Sequence, residues 1–252
     1  MRRTDRGHRP PKGSSGRPRF WGRHAVGAAL ANPKRRAVKL WATRDAAARM
    51  ELSSSLPVTF ADVADLGRLV PQDAPHQGLV VEVDPLDDVF LDELLGQEGT
   101  RPLLVLDQVT DPHNVGAILR SAAAFGVKAI VTTARHSPEV TGVLAKSASG
   151  ALEFVPFVTV QNLARALNEL KDRGFMTVGL DSEGSEDLGA VALQAPLALV
   201  LGAEGKGLRQ LTRETCSVVA RLDMPGQIKS LNVSNAAVLA LYIGASRLGL
   251  MK

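Results

Sequence analysis

From residue 102 onward this chain sets short apolar runs against stretches of helical spacing, and that alternation leaves few folds open to it. The runs are Leu103–Leu106, Ala129–Thr133, Phe154–Val158, Thr177–Asp181, Leu197–Leu201 and Ser217–Leu222. A strand with one wet face alternates polar and apolar side chains. Several of these do not, so both of their faces must be covered. Between them, Val115–Phe125 puts Val115, Ile118, Leu119, Ala122 and Phe125 along one side of a helix, and Val140–Ser147 and Leu163–Arg173 also read as helical. A long apolar helix is predicted from Val233 to Leu248. The expected fold class is α/β: a mostly parallel sheet over residues 102–252, with helices on both faces.

The first third of the chain carries shorter signals. Helices are predicted over 25–31 and Ala46–Leu52, and strands at Val38–Trp41, Val58–Phe60 and Gly78–Val83, which makes a second, small α/β domain over 19–84. Residues 85–101 are acidic, contain Gly96 and Gly99, and read as a linker with a short helix near Val89–Leu95. Residues 1–18 hold almost no apolar side chains and are expected to form a disordered basic tail. Eight Arg and Lys stand against the single acid Asp5 in the first 24 residues, although the whole chain carries only +4. A polyanionic partner is implied, contacted by the tail and by the basic residues at 34–36 and 39, with loss of 1–18 weakening that binding and flattening its salt dependence. With only ten aromatics, a base-stacking platform is not expected. One cysteine excludes an internal disulfide and a cysteine-based zinc cluster, and fits the cytoplasm. No apolar run approaches the roughly 20 residues needed to cross a bilayer, and no secretory signal is recognisable.

Three loops hold the uncommon polar residues, each at the end of a strand, where open α/β sheets bind ligands. Asp107–Gly126 runs from LLVL into a helix and carries Asn114 and Arg120; singly, these would pass as a cap and a solvated side chain. Leu201–Leu208, LGAEGKGL, surrounds Glu204 with glycines that admit close backbone approach, yet lacks both the P-loop and the G-x-G-x-x-G spacing. Leu222–Asn235 clusters Ser230, Asn232 and Ser234 before the last helix, and capping accounts for at least one of them.

Taken together, N-x-G-A-x-x-R-S-A at Asn114–Ala122, L-G-A-E-G-x-G-L at Leu201–Leu208 and M-P-G…S-L-N-V-S at Met224–Ser234 resemble, in order and spacing, the three signature motifs of the SpoU/TrmH methyltransferases. G-R-H-A-V at Gly22–Val26 and His76–Gln77–Gly78 resemble the L30e-like substrate-binding domain that many members carry. The resemblance implies a trefoil-knotted, SPOUT-type catalytic domain, a homodimer, and S-adenosylmethionine as cofactor. It implies methyl transfer to a ribose 2'-hydroxyl of RNA, most closely a guanosine of 23S rRNA, free or in a pre-ribosomal particle. A tRNA guanosine, or a non-catalytic role in ribosome assembly, are the alternatives; cofactor binding separates the last from an enzyme. No metal, membrane or DNA partner is expected. By the same resemblance Arg120 is the leading catalytic candidate, with Asn114, Glu204, Ser230 and Asn232 beside it, and Gly202, Leu222 and Leu231 line the cofactor pocket. Lys206 or Lys229 would touch phosphate. A guanidinium stays protonated to a pKa above about 12, so orientation and charge stabilisation by Arg120 weigh as much as general-base work.

Overall fold

The computed structural model describes residues 16–251 apart from 51, 53, 98, 136 and 229, so most of the basic tail and Lys229 lie outside the described residues. Along the chain the first elements are β1 (Arg19–Trp21), α1 (Arg23–Ala31), β2 (Ala37–Ala42), α2 (Arg44–Ala47), β3 (Val58–Phe60), α3 (Val63–Gly67) and β4 (Leu79–Val83). Their strands form a four-stranded sheet in the order β1-β4-β2-β3, with β4 antiparallel to both neighbours. After α4 (Leu91–Leu95) come β5 (Leu103–Asp107), α5 (Pro112–Ala124), β6 (Ala129–Thr133), α6 (Gly142–Ala148), a 3-10 turn at Ala151–Glu153 and β7 (Phe157–Val160). Then follow α7 (Leu163–Asp172), β8 (Met176–Leu180), β9 (Glu186–Asp187), β10 (Leu197–Gly202), α8 (Gln210–Thr215), β11 (Val218–Arg221) and α9 (Val233–Arg247). These strands make a seven-stranded, wholly parallel sheet in the order β7-β6-β5-β10-β8-β11-β9.

The apolar runs that became β5, β6, β8 and β10 are central strands for the reason their composition gives. In β5, Leu104 and Leu106 pack into one core and Leu103 and Val105 into another, so both faces of the sheet are dry. The first core does not stop at the large sheet. Phe20, Val26, Leu40 and Val81 of the small sheet share it with Leu119, Leu144, Ala148 and Leu241.

Several boundaries differ from the pattern, and the causes are local. The strand expected at Phe154–Val158 begins at Phe157, because a 3-10 turn ends at Glu153 and leaves Phe154 exposed. The helix expected over Ala46–Leu52 is only the four-residue α2, which starts earlier because the Thr43 hydroxyl accepts from the Ala46 N–H and ends at Ala47, giving way to turns. Neither β1, α3, β9 nor α8 was foreseen. All are six residues or fewer, too short to show a period, and β1 exists through its pairing with Glu82, Val81 and Val80 of β4.

Candidate active site

The carboxyl ends of β5, β10 and β11 lie along one edge of the large sheet, and the three loops leave from there. Asp111 opens α5 by accepting from the His113 N–H at 3.0 Å, with Pro112 in the first helical position, where its missing N–H costs nothing. Asn114 therefore sits in the first turn of α5. Asn232 caps α9, its Oδ1 accepting from the Ser234 N–H at 2.9 Å and the Ser234 hydroxyl at 2.6 Å. Glu204 comes from the loop after β10.

These three side chains meet. Asn114 Nδ2 donates to Glu204 Oε2 at 3.2 Å, and Asn232 Nδ2 donates to Asn114 Oδ1 at 2.9 Å and to Glu204 Oε2 at 3.4 Å. Chemistry fixes both amides. Each Asn turns its NH2 to the Glu204 carboxylate oxygen, which accepts, and this leaves the Asn232 carbonyl for the start of α9. The carboxylate thus stands at the positive ends of two helices of 13 and 15 residues.

Two buried acids hold the glycine loop in place. Asp107, at the end of β5 with a side chain 0% exposed, accepts from the Arg209 backbone N–H at 3.1 Å and from Arg209 Nε at 2.6 Å. Asp181, just beyond β8, accepts from the Leu208 N–H at 3.3 Å and pairs with Arg213 at 2.7 Å. Burial pushes the Asp181 carboxyl up, but its bonds to Arg213, Glu183 and Leu208 outweigh burial and hold it below the ordinary range. A Cβ on Gly202 would overlap the Gly207 carbonyl, and Gly207 itself has φ +64, so this loop tolerates neither side chain. The acids were missed in the sequence although LLVLD and TVGLD carried the sign: an acid ending an otherwise apolar strand.

Arg120 lies about two turns further along α5, exposed, with no hydrogen bond or ion pair among the described residues. It does not join the Asn114–Glu204–Asn232 cluster. Ser230 is exposed and likewise unbonded among the described residues; Lys206 is exposed; Leu222 is half-buried. Ile228 and Leu231 present apolar side chains to solvent in the loop between β11 and α9.

At the small sheet, the two N-terminal motifs come together. Gly22, φ +84, precedes α1, and Gln77, itself at φ +55, accepts from the Arg23 N–H at 2.9 Å and from Lys146 Nζ of α6 at 3.0 Å. One expected phosphate contact is overturned. Arg35 is buried, ion-paired to Glu153 at 2.8 Å and donating to the Asp84 carbonyl at 2.9 Å, so it cannot reach RNA.

Residues 101–242 match the SpoU rRNA methylase family, and residues 20–89 match the domain described as RNA 2'-O ribose methyltransferase substrate binding. The chain is 39% identical over 235 residues to the 23S rRNA (guanosine-2'-O-)-methyltransferase RlmB of Pseudomonas putida, covering 89% of this chain and 94% of the relative. It is 48% identical over 169 residues to the protein of the same name in Ralstonia nicotianae, 66% of this chain and 68% of the relative. The SpoU methyltransferase AviRb from Streptomyces viridochromogenes, solved with the cofactor AdoMet, superposes with a TM-score of 0.75 at 24% identity, covering 92% of this chain and 91% of that one. This chain belongs to the SpoU rRNA methylase family.

Proposed function

We propose that this protein transfers the methyl group of S-adenosylmethionine to the ribose 2'-hydroxyl of a guanosine in 23S rRNA. The observation that carries the reading is the meeting of Asn114, Glu204 and Asn232 at one sheet edge, in a chain homologous to RlmB over nearly its whole length. The cofactor fits loop features seen here. Gly205 has open space where a Cβ would stand, Gly202 and Gly207 pack backbone on backbone, and Ile228 and Leu231 expose apolar side chains in the loop before α9. Gly202, Leu222 and Leu231 would hold the cofactor, which supplies a methyl already activated by the sulfonium charge.

The remaining work falls to the chain. The two amides clamp Glu204 and fix the loops between which the ribose must lie, which is a contribution of position rather than of proton transfer. Arg120, without a partner among the described residues, orients the ribose hydroxyl or its neighbouring phosphate and stabilises the alkoxide as the hydroxyl proton passes to water. Ser230 and Lys206 complete the RNA side.

The same proposal assigns 19–84 to an L30e-like RNA-binding domain, 85–101 to the linker and 102–252 to catalysis. A cleft of about 220 Å³ lined by Arg23, Arg49 and Gln77 supports RNA contact at the first of these. Threading of the loops after β8, β10 and β11 into a trefoil knot is supported by their cross-bonds, Leu208 to Asp181 and Asp223 N–H to Asp187 at 2.8 Å. A homodimer is supported by the outward apolar stripe of α9, Val238, Leu239 and Tyr242. No helix among the described residues is long and apolar enough to cross a membrane, in keeping with action in the cytoplasm.

The test is transfer of labelled methyl to protein-free 23S rRNA and, separately, to tRNA, with the 2'-O-methyl position mapped. Label at a single guanosine ribose of 23S rRNA is expected. Label confined to tRNA overturns the target, and absence of S-adenosylmethionine binding overturns the enzyme.

A further inference from the structure

A cleft of about 340 Å³ lies on the carboxyl edge of the large sheet, away from the Asn114–Glu204–Asn232 cluster and between the ends of β6 and β7, the start of α7 and the residues leading into α8. Its volume is near the lower end of the range for ligand clefts, about 300–1,000 Å³. Arg135 and Arg209 both line it, and among the described residues no acidic side chain does. Arg209 uses its backbone N–H and Nε on the buried Asp107, which leaves its two terminal nitrogens without a partner among the described residues. Arg135 is exposed and has no carboxylate partner among the described residues.

The far wall is the N-terminus of α7. Asn162 caps this helix by accepting from the Arg165 N–H at 3.0 Å, so the N–H groups of Leu163 and Ala164, both lining the cleft, are not taken by the cap. The floor adds a second, independent sign. Thr133 is 6% exposed, lines the cleft and falls on the α7 side of β6, in line with Ala129 and Val131, which pack against Leu163 and Leu167. Its hydroxyl has no hydrogen-bond partner among the described residues. A buried hydroxyl without a partner is an uncommon expense in a folded chain. Thr133 shares the lining of the cleft with two arginines and the open N-terminus of α7, the donor set that recognises a phosphate oxyanion.

We infer that this cleft binds a phosphodiester of the substrate RNA, flanking the nucleotide being methylated. The assignment rests on the RNA-methyltransferase reading above. Its place carries the choice of RNA over a free anion. Arg209 directly follows the Glu204 loop and is tied to the end of β5, so the cleft opens on the same carboxyl edge of the sheet as that loop.

The experiment measures binding of the full-length chain to a protein-free 23S rRNA transcript across a salt series, for wild type, Arg135→Ala and Arg135→Lys. Arg135→Ala should raise the dissociation constant several-fold and lower the slope of log affinity against log salt by about one. Arg135→Lys should restore the slope but only part of the affinity. Cofactor affinity and melting temperature, measured on each variant, should not move. RNA affinity and slope equal to wild type in Arg135→Ala would overturn the cleft, as would inorganic phosphate binding in calorimetry alongside RNA binding insensitive to Arg135. The two readings fail separately: a wild type that methylates rRNA while Arg135→Ala binds normally loses only the cleft, and a wild type that methylates no RNA loses the enzyme.

Discussion

Glu204 shows how little freedom the residue scale leaves at this edge. Both amides that touch it are committed, Asn232 to the start of α9 as well, so their orientation is set before any substrate arrives. Arg120 is the opposite case, an exposed charge with no partner among the described residues. Arg120→Ala should therefore leave melting and cofactor affinity near wild type while turnover falls by about 10²–10³-fold, the size seen when one oriented donor to a developing oxyanion is lost. Arg120→Lys should recover little, because a point charge does not reproduce the planar fork. Near wild-type turnover in Arg120→Ala, read by labelled-methyl transfer, would remove Arg120 from the chemistry. Cys216 gives a second test. Burial pushes its thiol up to about 12 from an ordinary value near 9, with Lys171 opposing and Asp107 adding. Its raised folded pKa contributes stability that is whole below about 9 and is lost as pH climbs toward 12. Iodoacetamide at pH 8.5 should label the half-buried Cys216 far more slowly in the folded protein than in guanidinium; equal rates would contradict the raised thiol. At this scale Asn114, Glu204 and Asn232 stood in Gly-rich or cap-rich loops, but only the resemblance of those loops to the SpoU/TrmH motifs joined them into one site. The sequence concealed Asp107 and Asp181, whose roles depend on arginines 102 and 32 residues away.

Elements were legible in proportion to their length and burial. The runs now in β5, β6, β8 and β10 announced a covered parallel sheet because two dry faces require unbroken apolar composition. Strand order was not legible: nothing local places β10 between β5 and β8, since order is decided by which crossovers pack. Nor was the closeness of α5 to α6, which one glycine permits. A Cβ at Gly116 would fall 2.8 Å from the Leu144 carbonyl oxygen and 2.9 Å from the Ala148 nitrogen, and backbone cannot move aside as a side-chain tip can. Since α5 carries both Asn114 and Arg120, this contact sets where they stand. Gly116→Ala should cost about 1–3 kcal/mol from overpacking, seen as a lowered melting temperature, and should also reduce turnover by shifting α5. Unchanged melting would mean that the two helices separate freely and that their spacing is not what positions the site.

Across the whole molecule, the small and large sheets behave as one body because their contact is built like an interior. Phe20, Val26 and Leu40 share a core with Leu144, Ala148 and Leu152. Trp21 of β1 lies against Gly142 of α6, where a Cβ would overlap its ring. Within this contact Arg35 and Glu153 are each 2% exposed and joined at 2.8 Å, with Asn32 Nδ2 donating to the same carboxylate at 2.7 Å. The arginine belongs to the loop after α1 and the glutamate to the 3-10 turn, so the bond spans the two sheets. Removing either charge alone strands the other in a dry site, at a cost of about 3–5 kcal/mol. Replacing both with apolar side chains of similar size removes the unpaired charge and should recover most of that. Glu153→Leu and Arg35→Met should thus each lower the melting temperature by on the order of 10 °C, while the double variant melts much closer to wild type. Calorimetry should also show one cooperative transition for the wild type, because residues of both sheets share a single core. Two separate transitions, with single-variant losses that simply add in the double, would mean that the sheets are tethered rather than fused. An RNA contact on α1 would then have no fixed distance to Arg120. A fused body fixes that distance, and target choice can then be set by geometry between an RNA-holding surface and a methyl-transferring edge.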